Sequence, residues 1–307
     1  MRGNPNLKEN KLKRAIALPF RNLVKWLNPV LFVKLQYRYI THHRLNLKNP
    51  IRYTEKLQYL RLFVYPNDDL VIKCSDREAV REYVKKQGYG NILIPIYGVY
   101  DNFNKIDFVR LPNSFVLKAT HACAFNKLVF DKSNLDLIPL KKKFVKWLKT
   151  DYGKQTIERH YSKIKPQIII EKLLLENKNL PIEYKIHVFN GVAKSMYIVT
   201  GRGEDIRYNN YYIDFTPFDA SQFNGWKKRE EEIEKPPNWD EMVKIAEKLA
   251  RPFPFVRVDF YNIKGKIYFN ELTFTPAKGT LIFDDDQADF EMGEWLDIST
   301  LLLKDKK

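Results

Sequence analysis

Acidic residues are in short supply. The chain sets 37 Asp and Glu against 53 Lys and Arg, a formal net charge of +16 at pH 7. Such a field attracts nucleic acid, anionic membranes and polyanionic substrates. There is no zinc-ligand spacing, helix-turn-helix or RNA-recognition signature, so specific nucleic-acid binding is not expected. Cysteine is nearly absent: Cys74 and Cys123 are the only two in 307 residues. That excludes a disulfide framework and fits a reducing compartment. No apolar run approaches the ~20 residues a membrane span needs, and the N-terminus shows no signal-peptide core or cleavage site. The chain therefore reads as cytoplasmic. It has no internal repeat, no low-complexity tract and no GxxxxGK[ST] phosphate loop.

Apolar residues make up 44% and aromatics 14% of the chain, enough for a sizeable core in two or three lobes. The excess charge gathers early. Over residues 1–45, Lys8, Lys11, Lys13, Arg14, Arg21, Lys25, Lys34 and Arg38 interleave with Leu18, Phe20, Leu23, Trp26, Leu27, Leu31, Phe32 and Leu35. Pro19 and Pro29 divide this arm into short helical pieces. Two readings stand side by side. In one, a basic amphipathic arm lies peripherally on an anionic membrane at its inner face. In the other, its apolar face packs on its own protein and the charges are solvated.

The periodicity predicts helices over Tyr53–Phe63, Ser75–Gln87, Ile138–Thr150 and Asp240–Ala250, the third of them basic. Strands are expected over Ile92–Tyr100, Ser114–Ala119, Leu128–Asp131 and Gln167–Leu175. Tyr184–Phe189 and Ala193–Thr200 form a hairpin about Asn190-Gly191. Arg202–Pro237 carries little periodic signal. Strands and helices mix without a strict βαβ rhythm, which favours an α+β fold.

Pro254–Gly279 is the most informative stretch. Val256, Val258 and Phe260 alternate with Arg257, Asp259 and Tyr261, so Arg257 and Asp259 share a face. Asn262–Gly265 breaks the run. The return strand sets Phe269, Glu271 and Thr273 on one face and Tyr268, Asn270 and Leu272 on the other. Closure about Ile263–Lys264 leaves Asp259 opposite or nearly opposite Glu271. Two carboxylates and a guanidinium then project together, a donor set suited to Mg²⁺, which takes few protein oxygens beside water and phosphate. A surface hairpin with solvated charges has the same pattern.

Other segments offer chemistry with equally plain alternatives. Lys118 ends an apolar strand before the small-residue loop Ala119–Asn126, as in a flap over phosphates, or simply reaches solvent. Ile168–Leu174 offers a backbone edge between apolar walls for a purine, or is a core strand broken by Glu171 and Lys172. Glu183 and Lys185 share a strand face, suiting a ribose hydroxyl and an anion, or an exposed ion pair.

Taken together, LNLKNPIRYTEKLQYLRL, CSDREAVREYV, ILIPIYGVYDNFNKIDFVRLPNSFVLKATH, IIIEKLL, EYKIHVFNG, FPFVRVDFYNIKGKIYFNELTFTP and MGEWL resemble the TupA-like ATP-grasp family, associated with bacterial surface polysaccharides. The resemblance runs from about Leu45 to Leu296. It implies two α+β subdomains gripping ATP, divided here as a basic arm (1–45), an N-terminal region (46–110), a flap subdomain (111–172) and a metal-binding subdomain (173–307). It further implies that Arg77 and Lys118 bind the phosphates and that His121 belongs to the flap. Glu171 and the backbone near Leu173 form the adenine hinge. Glu183 takes the ribose, Lys185 faces the phosphates or acceptor, Asp259 and Glu271 hold Mg²⁺, and Arg257 stabilises the transferring phosphoryl group. The activity implied is ATP-dependent joining of a carboxylated sugar or polysaccharide precursor to an amine. A sugar phosphotransferase, a glycosyltransferase and a non-catalytic scaffold are the rival readings. The chain departs from the family at the flap, where His121-Ala122-Cys123-Ala124 replaces a common His-Gly-Ser-Gly; Thr273, where many ATP-grasp enzymes carry Asn, is allowed by the TupA-like pattern.

Overall fold

The computed structural model describes residues 22–302. The first part of the arm, with Lys8, Lys11, Lys13, Arg14, Pro19 and Arg21, lies outside the described residues. Beyond it, helix α1 (Pro29–Thr41) starts at Asn28, whose side chain accepts from Leu31 N, with Pro29 in the first turn. A proline is tolerated there because its missing N–H has no helical partner to lose. One face of α1 buries Val33 and Tyr37 against Leu45 and Ile157. For that face, the reading in which the arm packs on its own protein holds.

Two antiparallel sheets carry the α+β fold. The smaller one orders its strands β1 (Ile96–Tyr100), β4 (Ile168–Lys172), β2 (Phe115–Ala119) and β3 (Asn126–Val129). β1 pairs with β4, so this sheet takes a strand from the 46–110 region. Phe115, Leu117, Ile168 and Ile170 turn one way, against Leu140 and Phe144 of helix α5 (Leu137–Leu148). Strand periodicity then turns Val116, Lys118, Ile169 and Glu171 to the opposite face.

The larger sheet runs β7 (Arg207–Tyr212), β6 (Val192–Thr200), β5 (Glu183–Phe189), β8 (Phe255–Ile263) and β9 (Lys266–Thr273). Ile186, Val188, Val256, Val258 and Phe260 pack in one core with Trp239, Met242, Ile245 and Leu249 of helix α7 (Trp239–Ala250). The other face of β5 and β8 presents Glu183, Lys185, His187, Arg257 and Asp259. The expected hairpin turn at Asn190-Gly191 has both residues at positive φ, 47° and 83°, as an Asn-Gly turn requires.

Three elements differ from expectation. Tyr53–Phe63 begins as helix α2 (Tyr53–Tyr59) and continues as a π-helical turn over Leu60–Val64. Within that turn, fully buried Arg61 donates to the carbonyls of Ile157 and Lys278 and to Gln58 Oε1. The helix expected over Ser75–Gln87 starts later, as α4 (Ala79–Lys86), and Ser75 instead ends a separate helix, α3 (Asp69–Ser75). Asp76 stops the first and accepts from Glu78 N and Ala79 N to start the second. β7 falls in a stretch without periodic signal, because its buried positions include Asn209 and Asn210, which donate to the Arg229 and Ser221 carbonyls.

Helix α8 (Gln287–Trp295) closes the large core by docking on the start of α2. Asp289 accepts from Thr54 N at 2.9 Å and Oγ1 at 2.7 Å, and Lys56 Nζ donates to Gly293 O at 2.9 Å. A Cβ on Gly293 would sit 2.2 Å from Ile51 O and 2.9 Å from Tyr53 N, both backbone atoms. Gly293→Ala should therefore cost ~1–3 kcal/mol by overpacking, read as a lowered urea midpoint with an unchanged slope.

Candidate functional site

The site is built on the β8–β9 hairpin, and an irregularity in it decides which side chains meet. The turn is Lys264-Gly265, with φ of 51° and 79°, one residue later than the sequence suggests. From there the ladder pairs Ile263 with Lys266, Tyr261 with Tyr268 and Phe260 with Phe269. An unbroken ladder would next set Asn270 opposite Asp259 and turn Glu271 to the core. The register instead slips between Asp259 and Phe260, and Glu271 pairs with Asp259. Such a bulge inserts one unpaired residue and reverses the facing beyond it. Phe269 thus goes to the core and Glu271 and Thr273 to the site, correcting the expectation that these three share a face.

Asp259 is fully buried. Arg257 grips it with two bonds, Nε to Oδ1 at 2.6 Å and Nη2 to Oδ2 at 2.7 Å. Lys185, opposite on β5, donates to the same carboxylate and also pairs with Glu183 at 2.9 Å. Arg257 further donates to Tyr197 Oη at 2.8 Å and Thr273 Oγ1 at 2.9 Å, and lies 3.6 Å from Glu271. Arg77 reaches Glu271 at 3.0 Å from the break between α3 and α4, where its backbone N–H donates to Thr120 O. Burial opposes ionisation of Glu271, but Arg77, Lys185, Arg257 and Lys118 hold its carboxyl well below the usual range. Lys185 is driven the other way: burial lowers its pKa, and Asp259 with Glu183 raises it above the usual lysine value.

Across a cleft of about 320 Å³ stands the smaller sheet. Lys118 and Glu171 lie diagonally on β2 and β4 and pair at 2.6 Å. Ile94, Val116, Leu173 and Pro181 give the cleft apolar walls. The structure brings Arg77, Lys118, Glu171, Leu173, Glu183, Lys185 and Glu271 into this one lining, with Arg257 and Asp259 directly behind. His121 is placed elsewhere. Its Nε2 donates to the carbonyls of Trp147 and Thr150, 3.2 and 3.3 Å away at the end of α5. Its ring therefore ties the start of the Ala119–Asn126 loop to the end of α5 and is not among the cleft lining. Thr273 bonds within the site through Arg257 and, at 3.3 Å, Glu271.

The sequence reading missed Arg202. It lines the cleft and donates from Nη2 to Glu183 Oε2 at 2.8 Å. Burial would raise the Glu183 pKa, yet Lys185 and Arg202 bring it down to about 2. The available signal was Gly201-Arg202-Gly203 directly after β6. Gly201 has φ 63°, and a Cβ there would sit 2.0 Å from Asp205 O, so this turn needs glycine to aim the arginine inward.

This geometry makes two substitutions informative. Ala124, in the flap where glycine is common, has φ 61°. A left-handed alanine is strained by ~1–2 kcal/mol, part of which glycine returns as chain entropy. Ala124→Gly should stabilise the protein by ~0.5–1 kcal/mol in chemical denaturation. The second concerns Asp259, whose substitution the hairpin pattern alone would leave harmless to the fold. Its burial under two cations reverses that expectation: Asp259→Asn should destabilise by ~3 kcal/mol or more. Glu271→Gln, at a side chain 25% exposed, should cost less than half as much, measured in the same urea titrations.

No curated protein matches the chain. Among solved structures it is similar to D-alanine–D-alanine ligase from Bacillus anthracis complexed with ATP, at 16% identity and TM-score 0.42, covering 66% of this chain and 55% of that one. The corresponding ligase from Helicobacter pylori gives 15% and 0.42, over 81% and 67% of the two chains. N5-carboxyaminoimidazole ribonucleotide synthetase from Thermus thermophilus gives 13% and 0.40, over 72% and 51%. The chain thus spans 51% to 67% of the length of these proteins. The TupA-like ATPgrasp family model matches residues 55–297, a span that holds both sheets and every cleft residue named above. The chain belongs to the TupA-like ATP-grasp family.

Proposed function

We propose that the protein is an ATP- and Mg²⁺-dependent carboxylate–amine ligase acting on an acidic sugar of a bacterial surface polysaccharide or its precursor. The observation that carries this reading is the convergence of Arg77, Lys118, Lys185 and Arg257 with two facing carboxylates at one end of an apolar-walled cleft. Buried ion pairs are poor sources of stability, and clustered perturbed groups in a cleft mark functional sites. The base fits between the apolar walls beside Leu173, and the ribose at Glu183 after Arg202 yields. The phosphates then draw Lys118 from Glu171 and Arg77 from Glu271, exchanging one set of anions for another.

The donors suit Mg²⁺ in kind. Glu271 opens to the cleft, Asp259 faces it across the bulge, and the Thr273 hydroxyl lies beside Glu271. Mg²⁺ takes one or two protein carboxylates beside water and substrate phosphates, and Glu271 with Asp259 would supply them. For Asp259 to contribute an oxygen, Lys185 must release it. When bound, the cation neutralises charge on the transferring phosphoryl group.

In the reaction, a substrate carboxylate oxygen attacks the γ-phosphorus and the bond to ADP breaks, giving an acyl phosphate. An amine then attacks the acyl carbon, phosphate leaves, and the amine loses a proton as the amide forms. Arg257 and Lys185, both buried and permanently charged at neutral pH, are placed to stabilise the phosphoryl group in transit. The net charge of +16 favours an acidic acceptor.

The test is oxygen transfer. Incubation with ATP, Mg²⁺, hydroxylamine and ¹⁸O-carboxyl glucuronate or galacturonate should release ADP, yield a hydroxamate and place ¹⁸O in inorganic phosphate. Lys118→Met should raise KM for ATP at least tenfold, the loss expected of a charge-assisted phosphate contact worth ~1.5–3 kcal/mol. A phosphorylated sugar without hydroxamate would assign a phosphotransferase. Nucleotide-sugar binding in place of ATP would assign a glycosyltransferase, and ATP binding without turnover across a panel of acidic sugars a scaffold.

A further inference from the structure

Helix α1 has two apolar faces, and only one is accounted for. Val33 and Tyr37 are fully buried against the body, and Tyr37 Oη bonds Thr54 Oγ1 at 2.7 Å, so the helix is firmly seated. Leu31, Leu35 and Tyr39, four residues apart and hence on one stripe, point outward and are exposed. The helical residues 22–27 just before it leave Leu23, Trp26 and Leu27 exposed as well. Trp26 is 76%, Leu27 65% and Tyr39 72% accessible. Scattered exposed leucines need no explanation, but a contiguous outward stripe does.

Charge identifies what covers it. Lys34 and Arg38 lie three residues after Leu31 and Leu35, on the same outward side, both exposed. Neither has an ion-pair partner among the described residues. Residues 22–45 contain no Asp or Glu, and residues 1–45 hold ten Lys and Arg against Glu9 alone. A second copy of this face would oppose Lys34 and Arg38 with their own like charges. The segment before residue 22 is equally basic and would be repelled in the same way. An anionic surface that also accepts leucine, tryptophan and tyrosine satisfies both features at once. We propose that the outward face of α1, with residues 22–27, docks on an anionic phospholipid bilayer, with Leu31, Leu35 and Tyr39 entering the interface and Lys34 and Arg38 on the headgroups. None of these residues lines the cleft, so the proposal stands apart from the catalytic reading.

The full chain is tested by co-sedimentation with vesicles of phosphatidylcholine alone and of phosphatidylcholine mixed with phosphatidylglycerol. It should bind the mixed vesicles, release as salt rises, and ignore the neutral ones. Lys34→Gln/Arg38→Gln should lower the partition coefficient about thirtyfold, at ~1 kcal/mol per basic residue. Leu31→Glu/Leu35→Glu should abolish binding while thermal midpoint and helical circular dichroism stay at the wild-type values. If that pair fails to fold, Trp26→Ser/Tyr39→Ser carries the same test. Binding that survives the apolar substitutions overturns the proposal, as does a wild-type chain that ignores anionic vesicles. So does a dimer dissolved by Leu31→Glu/Leu35→Glu without vesicle binding. A large drop in thermal midpoint from the milder Trp26→Ser/Tyr39→Ser pair as well would assign the stripe to contacts within the chain and overturn it equally.

Discussion

A carboxylate with no access to water, held by an arginine and a lysine, is the constraint on which the site depends. Asp259 lies between Arg257 on its own strand and Lys185 on the next. Charges so buried must be compensated almost completely, so each residue fixes the rotamer of the others. Glu183 and Glu271 extend the chain of pairs at its two ends, Arg202 and Arg77 cap it from the loop and the helix break, and Lys118 and Glu171 pair with each other on the opposite sheet. The named members are five cations, Arg77, Lys118, Lys185, Arg202 and Arg257, against four carboxylates, Glu171, Glu183, Asp259 and Glu271. The named set thus carries one positive charge in excess, the sign that the proposed nucleotide phosphates would offset.

The Glu271 end of this network, with its contacts to Arg77, Arg257 and Thr273, depends on the bulge at Asn270. A regular hairpin from Lys264-Gly265 would bury Glu271 among Val258 and Phe260 and leave Asn270 beside Asp259. The slip of one residue exchanges them and still leaves Asn270 within 3.5 Å of Lys118. A local irregularity, set against sheets that are otherwise regular, therefore chooses the chemistry of the site.

Much of the architecture was legible because strand and helix periods report which residues share a face. Arg257 with Asp259 and Glu183 with Lys185 were readable from spacing two, and the apolar partners of the same strands marked the core side. The Asn190-Gly191 turn was readable from its residue types. What escaped has no period. The bulge is one residue long. The break at Asp76–Glu78 looks like helix interior until Asp76 is seen to cap α4, and only that break aims Arg77 at Glu271. β7 buries asparagines, which pattern reading assigns to the surface. Arg202 comes from a glycine turn with no repeat to announce it. His121 sits beside the flap in sequence, yet its ring is taken by two carbonyls at the far end of α5.

The placement of β1 beside β4 bears on how the chain assembles. The smaller sheet is entered near Pro95 and left near Lys172, and these points touch, since Lys172 N donates to Pro95 O at 2.9 Å. The whole lobe is thus a loop whose two ends are already neighbours in the larger body. Closing a long loop adds only ~0.6 kcal/mol for each doubling of its length, and here the closure is made by a strand pair rather than by side chains. The large sheet with α2, α7 and α8 draws its apolar core from segments on either side of the insertion, while Ile157 within the insertion docks on Arg61 and α1, so changes of length are tolerated at the lobe's outer turns, away from that contact. Variation in what the cleft admits is therefore cheapest in this lobe.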